Sequence, residues 1–383
     1  MAHNKNQHFV PQFYFRLFSI DKKRIEIFNK TKGIHKTGSI KGQCSSNYFY
    51  GKNLEIEKIN ASLEGLGCFI IKKIISSRNL RCLTDGDLFN LMTFMMFQYT
   101  RTKNIKQVTE NLKDFFFDNY VKPLLKSDLL EKNPNIDSSF LDKTKLNVKG
   151  LHSNSILLGL TSPITIADLE IALLINETKK DFIFSDSPVV LHNTIFNNLK
   201  NAGTRGFASK GLQIFYPLNN ELMLMFYDSN AYDVSSQNMY NIKIKSEKEI
   251  NKINLLQFIY CDQNLYFSRS NQSNYVTKLF SGIRGKIKKN KIGINIYRNA
   301  KNPLRELHQV IEEKIEFNLS LSFLQLNDDL KYDNGIRETS LHELNNSFVD
   351  EIFERNSPMN SNVTYLDKDN MTYYKEKDND LFT

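Results

Sequence analysis

The stretch "LQIFYPLNNELMLMFYD", residues 212–228, sets two apolar runs on either side of Pro-Leu-Asn-Asn-Glu. Turn-forming residues between two β-prone runs predict an antiparallel hairpin. Just upstream, "DFIFSDSPVVL" (181–191) reads as another strand. "RIEIF" (24–28) alternates polar and apolar after the turn residues Asp21 and Lys22, which predicts one more. The opening "HFVPQFYFRLFS" (8–19) is read as its hairpin partner.

Helical spacing dominates elsewhere. Ile59, Leu63, Leu66, Phe69, Ile70 and Ile74 recur at helical intervals, so the spacing predicts a helix over 54–75. "TDGDLFNLMTFMMFQYTRT" (84–102) begins with Thr84, a natural N-cap, and is apolar on nearly every face. Such a helix belongs in the middle of a core. A third helix is expected to end near Phe115–Phe117, ahead of Pro123. The polar stretch 124–150 reads as an insertion or long loop, and 162–176 as a short helix started by Ser162 and Pro163. Two more helical segments are expected, one opening at 247 and one at 274. The fold class expected is α+β, a mainly helical body with antiparallel strands from the N-terminal segment and the 180–230 region.

The chain of 383 residues carries a formal net charge of +9, unevenly spread. Residues 327–383 hold 13 acidic against 6 basic side chains, while residues 1–326 hold 29 against 45. This predicts a single basic domain over 1–326 and a loosely attached acidic tail over 327–383, with a helix at 341–354. A basic body implies a polyanionic partner such as nucleic acid, and the tail a route to a protein partner. The four cysteines show no Cys-x-x-Cys pair, so zinc-finger spacing is absent. The start "MAHNKNQH" lacks a signal-peptide pattern, and the longest apolar stretch is broken by Pro163, Asp168 and Glu170. A cytoplasmic, non-membrane protein is expected. Phosphate-binding loops, dinucleotide fingerprints, His-Glu-x-x-His and Gly-x-Ser-x-Gly are all missing, which speaks against nucleotide-driven motors and dinucleotide oxidoreductases.

What remains are polar residues in apolar settings. His8, Gln12 and Tyr14 would share one face of a strand, with His8 a general base, a metal ligand or a hydrogen-bonded strand residue. Gln98 and Arg101 stand three apart at a helix end, where Arg101 could serve the helix terminus or grip a phosphate. Asp186 ends a buried strand before Pro188, and Glu64 lies in the long helix. Lys286, Lys288, Lys289 and Lys291 form a basic run that would bind a polyanion.

Together "HFVPQFYFRLFS", "LEGLG", "FQYTRT", "FSDSPVV" and the later Pro217–Leu218 resemble an uncharacterised bacterial family, domain of unknown function 4238. That family opens with His-x-x-Pro-x-x-Tyr-Leu and carries Gln-x-x-Arg-Thr, Ser-Asp-x-Pro and Pro-Leu motifs. Phe15 stands where the family usually has Leu. The resemblance runs from about Gln7 to Arg269 and implies that His8, Glu64, Gln98, Arg101 and Asp186 share a site. It implies no activity. A His, Glu and Arg set suits metal-free phosphodiester cleavage. His8, Glu64 and Asp186 could instead hold a divalent cation such as magnesium. The expected function is therefore a nuclease, with catalytic His8, Glu64, Arg101 and Asp186 and substrate-binding Gln12, Gln98 and the lysine run. Its expected setting is bacterial defence or a toxin effector. The alternative is a non-catalytic module that senses nucleic acid or a nucleotide.

Overall fold

The computed structural model describes residues 6–51, 55–195, 206–235, 240–283, 292–298, 306–312, 317–330, 335–337, 362–366 and 373–377. In chain order the elements begin with β1 (Asn6–His8), α1 (Gln12–Phe18), β2 (Arg24–Asn29), β3 (Ile34–Ser39) and β4 (Ser45–Asn47). A helical block follows: α2 (Glu55–Ser77), α3 (Asp85–Thr100), α4 (Lys103–Phe116), α5 (Lys122–Lys132), α6 (Phe140–Lys143) and α7 (Leu151–Thr161). Next come β5 (Glu170–Asn176), β6 (Phe184–Ser185), β7 (Val190–Asn193), β8 (Leu212–Pro217), β9 (Leu222–Tyr227), β10 (Tyr232–Val234) and β11 (Asn241–Ile244). The last group is α8 (Glu247–Tyr260), β12 (Asn264–Phe267), α9 (Ser273–Ser281), β13 (Ile292–Arg298), β14 (Glu306–Glu312), β15 (Leu324–Leu326), β16 (Asn362–Leu366) and β17 (Tyr373–Lys377).

The fold is α+β, and the expected hairpin is its centre. β8 and β9 pair antiparallel inside a five-stranded sheet of order β11-β5-β9-β8-β7. Every residue of both strands is buried, because the sheet is covered on both faces. Ile214, Tyr216, Leu224 and Phe226 face a core shared with α1, α2 and α3. Phe215, Met223, Met225 and Tyr227 face a second core with Ile250, Ile253 and Leu256 of α8. Continuous apolar runs, rather than alternation, are what a two-sided burial requires. The sheet is mixed, since β11 runs parallel to β5.

α3 is the central helix. Thr84 and Asp87 form a reciprocal capping box, each side chain accepting from the other's backbone N–H at 3.1 Å. Leu91, Phe94, Met95, Met96 and Phe97 are completely buried. α2 lies close against it, because Gly67 presents no side chain: a Cβ there would stand 2.4 Å from the Phe94 ring.

Four local expectations are corrected. The opening segment is a strand only through His8 and then a helix. Pro11 occupies the N-cap with extended dihedrals, and Tyr14, Phe15 and Phe18 are buried at helical, not alternating, intervals. β1 pairs with β4, and β2 pairs with β3 and β12, so the predicted opening hairpin does not form. The polar stretch after Pro123 continues as α5 and α6 rather than as loop. The segment 162–176 is a short 3₁₀ turn followed by strand β5, whose apolar run pairs with both β9 and β11. Here sheet pairing overrides a helix-compatible pattern.

Within the segment read as an acidic tail, Arg337 is buried on the body. Its guanidinium donates to Asp168 Oδ2 at 2.7 Å and to the carbonyls of Ser209, Phe207 and Thr165 at 2.7, 2.7 and 2.8 Å. β16 and β17 extend a four-stranded antiparallel sheet of order β14-β13-β16-β17. Lys286, Lys288, Lys289, Lys291 and the expected helix at 341–354 lie outside the described residues. No helix among the described residues is long and apolar enough to cross a membrane.

Candidate functional site

The last turn of α3 delivers Gln98 and Arg101 to the interior, both completely buried. Gln98 Oε1 accepts from Arg101 Nε at 3.0 Å and from Nη2 at 2.6 Å. That fixes the amide, so Gln98 Nε2 donates to the Phe9 carbonyl at 2.9 Å. Arg101 Nη1 donates to Glu64 Oε1 at 2.7 Å, and the guanidinium sits 4.7 Å from the Phe97 ring. Burial works against the charge on Arg101, but the facing Glu64 outweighs it, and the group stays firmly protonated. Glu64 itself keeps 28% of its side-chain surface exposed. The close approach of α2 at Gly67, one turn along, is what brings Glu64 against Arg101.

His8 ends β1, three residues before the proline that starts α1. Its Nε2 lies 3.2 Å from the Lys41 carbonyl and 3.5 Å from Gln12 Nε2. A carbonyl can only accept, so the Lys41 contact assigns the proton to Nε2 and leaves Nδ1 with its lone pair. No partner meets Nδ1 among the described residues. Burial lowers the proton affinity of His8 below the ordinary histidine value, partly offset by the Lys41 bond and the Glu64 carboxylate. The ring is therefore neutral near pH 7. Gln12 in turn accepts from Arg16 Nη2 at 3.0 Å.

Several side chains outside the predicted set belong to this cluster. Tyr14 Oη donates to the Pro217 carbonyl, and its ring stacks on Tyr216 at 5.3 Å and 4°. This ties the opening His-x-x-Pro-x-x-Tyr motif to Pro217–Leu218. The Tyr216 hydroxyl is buried without a partner among the described residues, and burial pushes its ionisation far up. Asn60, one turn before Glu64 on α2, also buries an Oδ1 that meets no partner among the described residues. Tyr50 Oη donates to the His8 carbonyl at 2.9 Å. The helical spacing of Asn60 and Glu64 was the sole sequence signal for Asn60; nothing local marked Tyr216.

Asp186 is not in this cluster. Its carboxylate accepts from the backbone N–H groups of Asp262, Gln263 and Asn264 at 2.8, 2.7 and 2.9 Å. Burial raises its carboxyl, and those three donors counter the rise. The Ser-Asp-Ser-Pro stretch thus fastens the turn between α8 and β12, a structural use of a strand-end carboxylate. The trio of His8, Glu64 and Asp186 is not assembled, and no three His, Cys, Asp or Glu side chains among the described residues are placed to hold a metal ion. Arg101 and Gln98 also differ from expectation, since both are spent inside the protein and reach no solvent.

A family model described as a protein of unknown function (DUF4238) matches residues 6–271, about two thirds of the chain. The chain belongs to the DUF4238 family. The matched span contains the whole His8, Gln12, Glu64, Gln98, Arg101 and Tyr216 cluster of this DUF4238 protein, together with Asp186. Searches of the curated proteins and of the solved structures return no match.

Proposed function

We propose that this DUF4238 protein is a nuclease that hydrolyses phosphodiester bonds without a bound metal, with His8 as general base. The observation that carries the reading is the chain of contacts from the Phe9 carbonyl through Gln98 and Arg101 to Glu64, with His8 beside Phe9. His8 Nδ1 removes a proton from water, and the water oxygen attacks phosphorus. The scissile P–O bond breaks, and the imidazolium returns its proton to the leaving oxygen. Glu64 stabilises the transient imidazolium, and the buried Arg101 is a positioning residue that holds Glu64 in place. The +16 balance of residues 1–326 agrees with a polyanionic substrate. A role in bacterial defence or as a toxin effector belongs to the same proposal.

The test is incubation of the full chain with labelled RNA and DNA, with and without EDTA, beside a His8→Ala variant. Cleavage that survives EDTA and disappears in His8→Ala is the expected result. Cleavage that EDTA abolishes, or that His8→Ala retains, overturns the mechanism.

A second reading has its own support. Arg101 and Gln98 are wholly buried, and together they pin the N-terminal segment to α3. That favours a non-catalytic module sensing nucleic acid, in which the same network is a structural clasp. Binding without cleavage by the wild-type chain would select it.

A further inference from the structure

Several cations of the helical block are neutralised by nearby carboxylates. Lys73 pairs with Asp87, Lys113 with Glu110, Lys122 with Asp118, Lys126 with Asp142 and Lys132 with Asp128, all between 2.6 and 2.8 Å. Four cations on segments that touch His8 or its neighbour Phe9 are not among these pairs. Arg16, Lys41, Lys103 and Lys106 reach no carboxylate among the described residues, and Glu64, the acid that acts on His8, is engaged by Arg101.

Two of the four are held in place without being neutralised. Lys103 Nζ stands 5.3 Å from the centre of the Phe9 ring, next to His8 in sequence. Lys106 Nζ stands 4.8 Å from the Phe49 ring and donates to the Phe49 carbonyl at 3.5 Å. The two rings touch at 5.1 Å between centroids. A ring face attracts an ammonium group but leaves its charge and its outward N–H donors available. Lys103 and Lys106 are also three apart in the first turn of α4, so they rise from one face. Next to His8 itself, Arg16 is held through Gln12, and Lys41 supplies the carbonyl that orients the imidazole.

We propose that Arg16, Lys41, Lys103 and Lys106 form a docking track that carries the phosphate backbone of a single-stranded nucleic acid past His8. The track rests on the nuclease reading of that site and names its substrate class. Phe9 and Phe49 are 4% and 7% exposed, so their rings serve as supports for the lysines and offer no face to a base. Recognition is therefore of backbone, independent of sequence. The half-buried imidazole favours a flexible strand, which can turn one phosphate inward as a stiff duplex cannot.

The test uses the full chain carrying His8→Ala, so that cleavage does not consume the probe. Fluorescence anisotropy measures binding of labelled single-stranded RNA and DNA 20-mers, the matching duplex and anionic lipid vesicles between 50 and 200 mM salt. Adding Lys103→Gln and Lys106→Gln should flatten the slope of log K against log salt by about 1.4, since each phosphate contact on a single strand contributes ~0.7. Lys278→Gln, an exposed lysine on α9, should change nothing. Glutamine keeps most of each side-chain stem, and thermal melting verifies the fold. An unchanged slope, absent binding by the parent, or preference for duplex or vesicles overturns the track. If the slope falls as expected but the wild-type chain cleaves nothing, the nuclease reading fails and the track stands. If the wild type cleaves but the slope is unchanged, the track alone fails.

Discussion

Arg101 and Glu64 form an ion pair with one end sealed and one end open: Nη1 lies 2.7 Å from Oε1, with Arg101 at 0% and Glu64 at 28% side-chain exposure. A buried cation whose partner faces solvent transmits the rigidity of the core to a group that a ligand can reach. The pair differs in this from the i to i+4 pair of Lys132 and Asp128, where both members are exposed to solvent.

Removing either member should have unequal effects. Glu64→Gln keeps a hydrogen-bond acceptor for Arg101 and should lower cleavage more than stability. Arg101→Met leaves Glu64 without its partner and Gln98 Oε1 without a donor, and should cost about 3–5 kcal/mol in chemical denaturation. Equal loss of stability in the two variants would refute the division of roles.

Cleavage should follow the neutral form of His8. Because burial holds its proton affinity below the ordinary value of 6.5, activity should fall with acid only below that pH and stay level through neutrality. A rate profile with its acid limb above pH 7 would contradict this. Lys41→Ala should leave the profile in place, since the group that orients His8 is the backbone carbonyl.

His152 should make the fold acid-sensitive. It packs edge-on against Phe49 at 5.1 Å, its two ring nitrogens meet no partner among the described residues, and burial lowers its pKa to about 4. The folded value lies below the unfolded one, so stability is complete above about pH 6.5 and falls as the pH drops towards 4. At ~1.4 kcal/mol per pH unit, the loss sums to about 3 kcal/mol. His152→Leu should flatten the decline in urea midpoints between pH 6.5 and 4. A decline of unchanged steepness would assign acid sensitivity elsewhere.

Asp186→Asn should act on stability alone. The amide oxygen can still accept, but the charge that favours three N–H donors is lost and an amide N–H₂ must be placed in a buried turn. About 1–3 kcal/mol is expected, with the cleavage rate of the folded fraction unchanged. A selective loss of cleavage in a protein of wild-type stability would return Asp186 to the site.

Truncation should depend on where the chain is cut. Ending it at residue 327 removes Arg337 and its bonds to Asp168, Ser209, Phe207 and Thr165. Ending it at 340 keeps them. The first protein should melt lower than the second, and if an acidic tail screens the basic body both should bind nucleic acid more tightly than the full chain. Equal melting temperatures would show that the Arg337 contacts are dispensable.

Patterns that depend on nearest neighbours were readable without a structure. The hairpin at 212–228, the capping box of α3 and the all-round apolar face that places it centrally are local statements of turn chemistry and periodicity. The chemical types at His8, Glu64, Gln98 and Arg101 were also legible, as was their membership of a family pattern. What the sequence could not show is direction. "HFVPQFYFRLFS" has strand-like aromatics, yet burial of Tyr14, Phe15 and Phe18 selects a helix, because contact with the sheet decides which face is covered. Asp186 and Glu64 are both acids in apolar surroundings, and sequence gives them equal standing. Only tertiary structure separates them: three backbone N–H groups from a loop 76–78 residues away engage Asp186, while Gly67 admits Phe94 and carries Glu64 to Arg101. Residue types and local periods were set by the chain itself; which polar groups remained open was decided by the donors that folding brought from far along it.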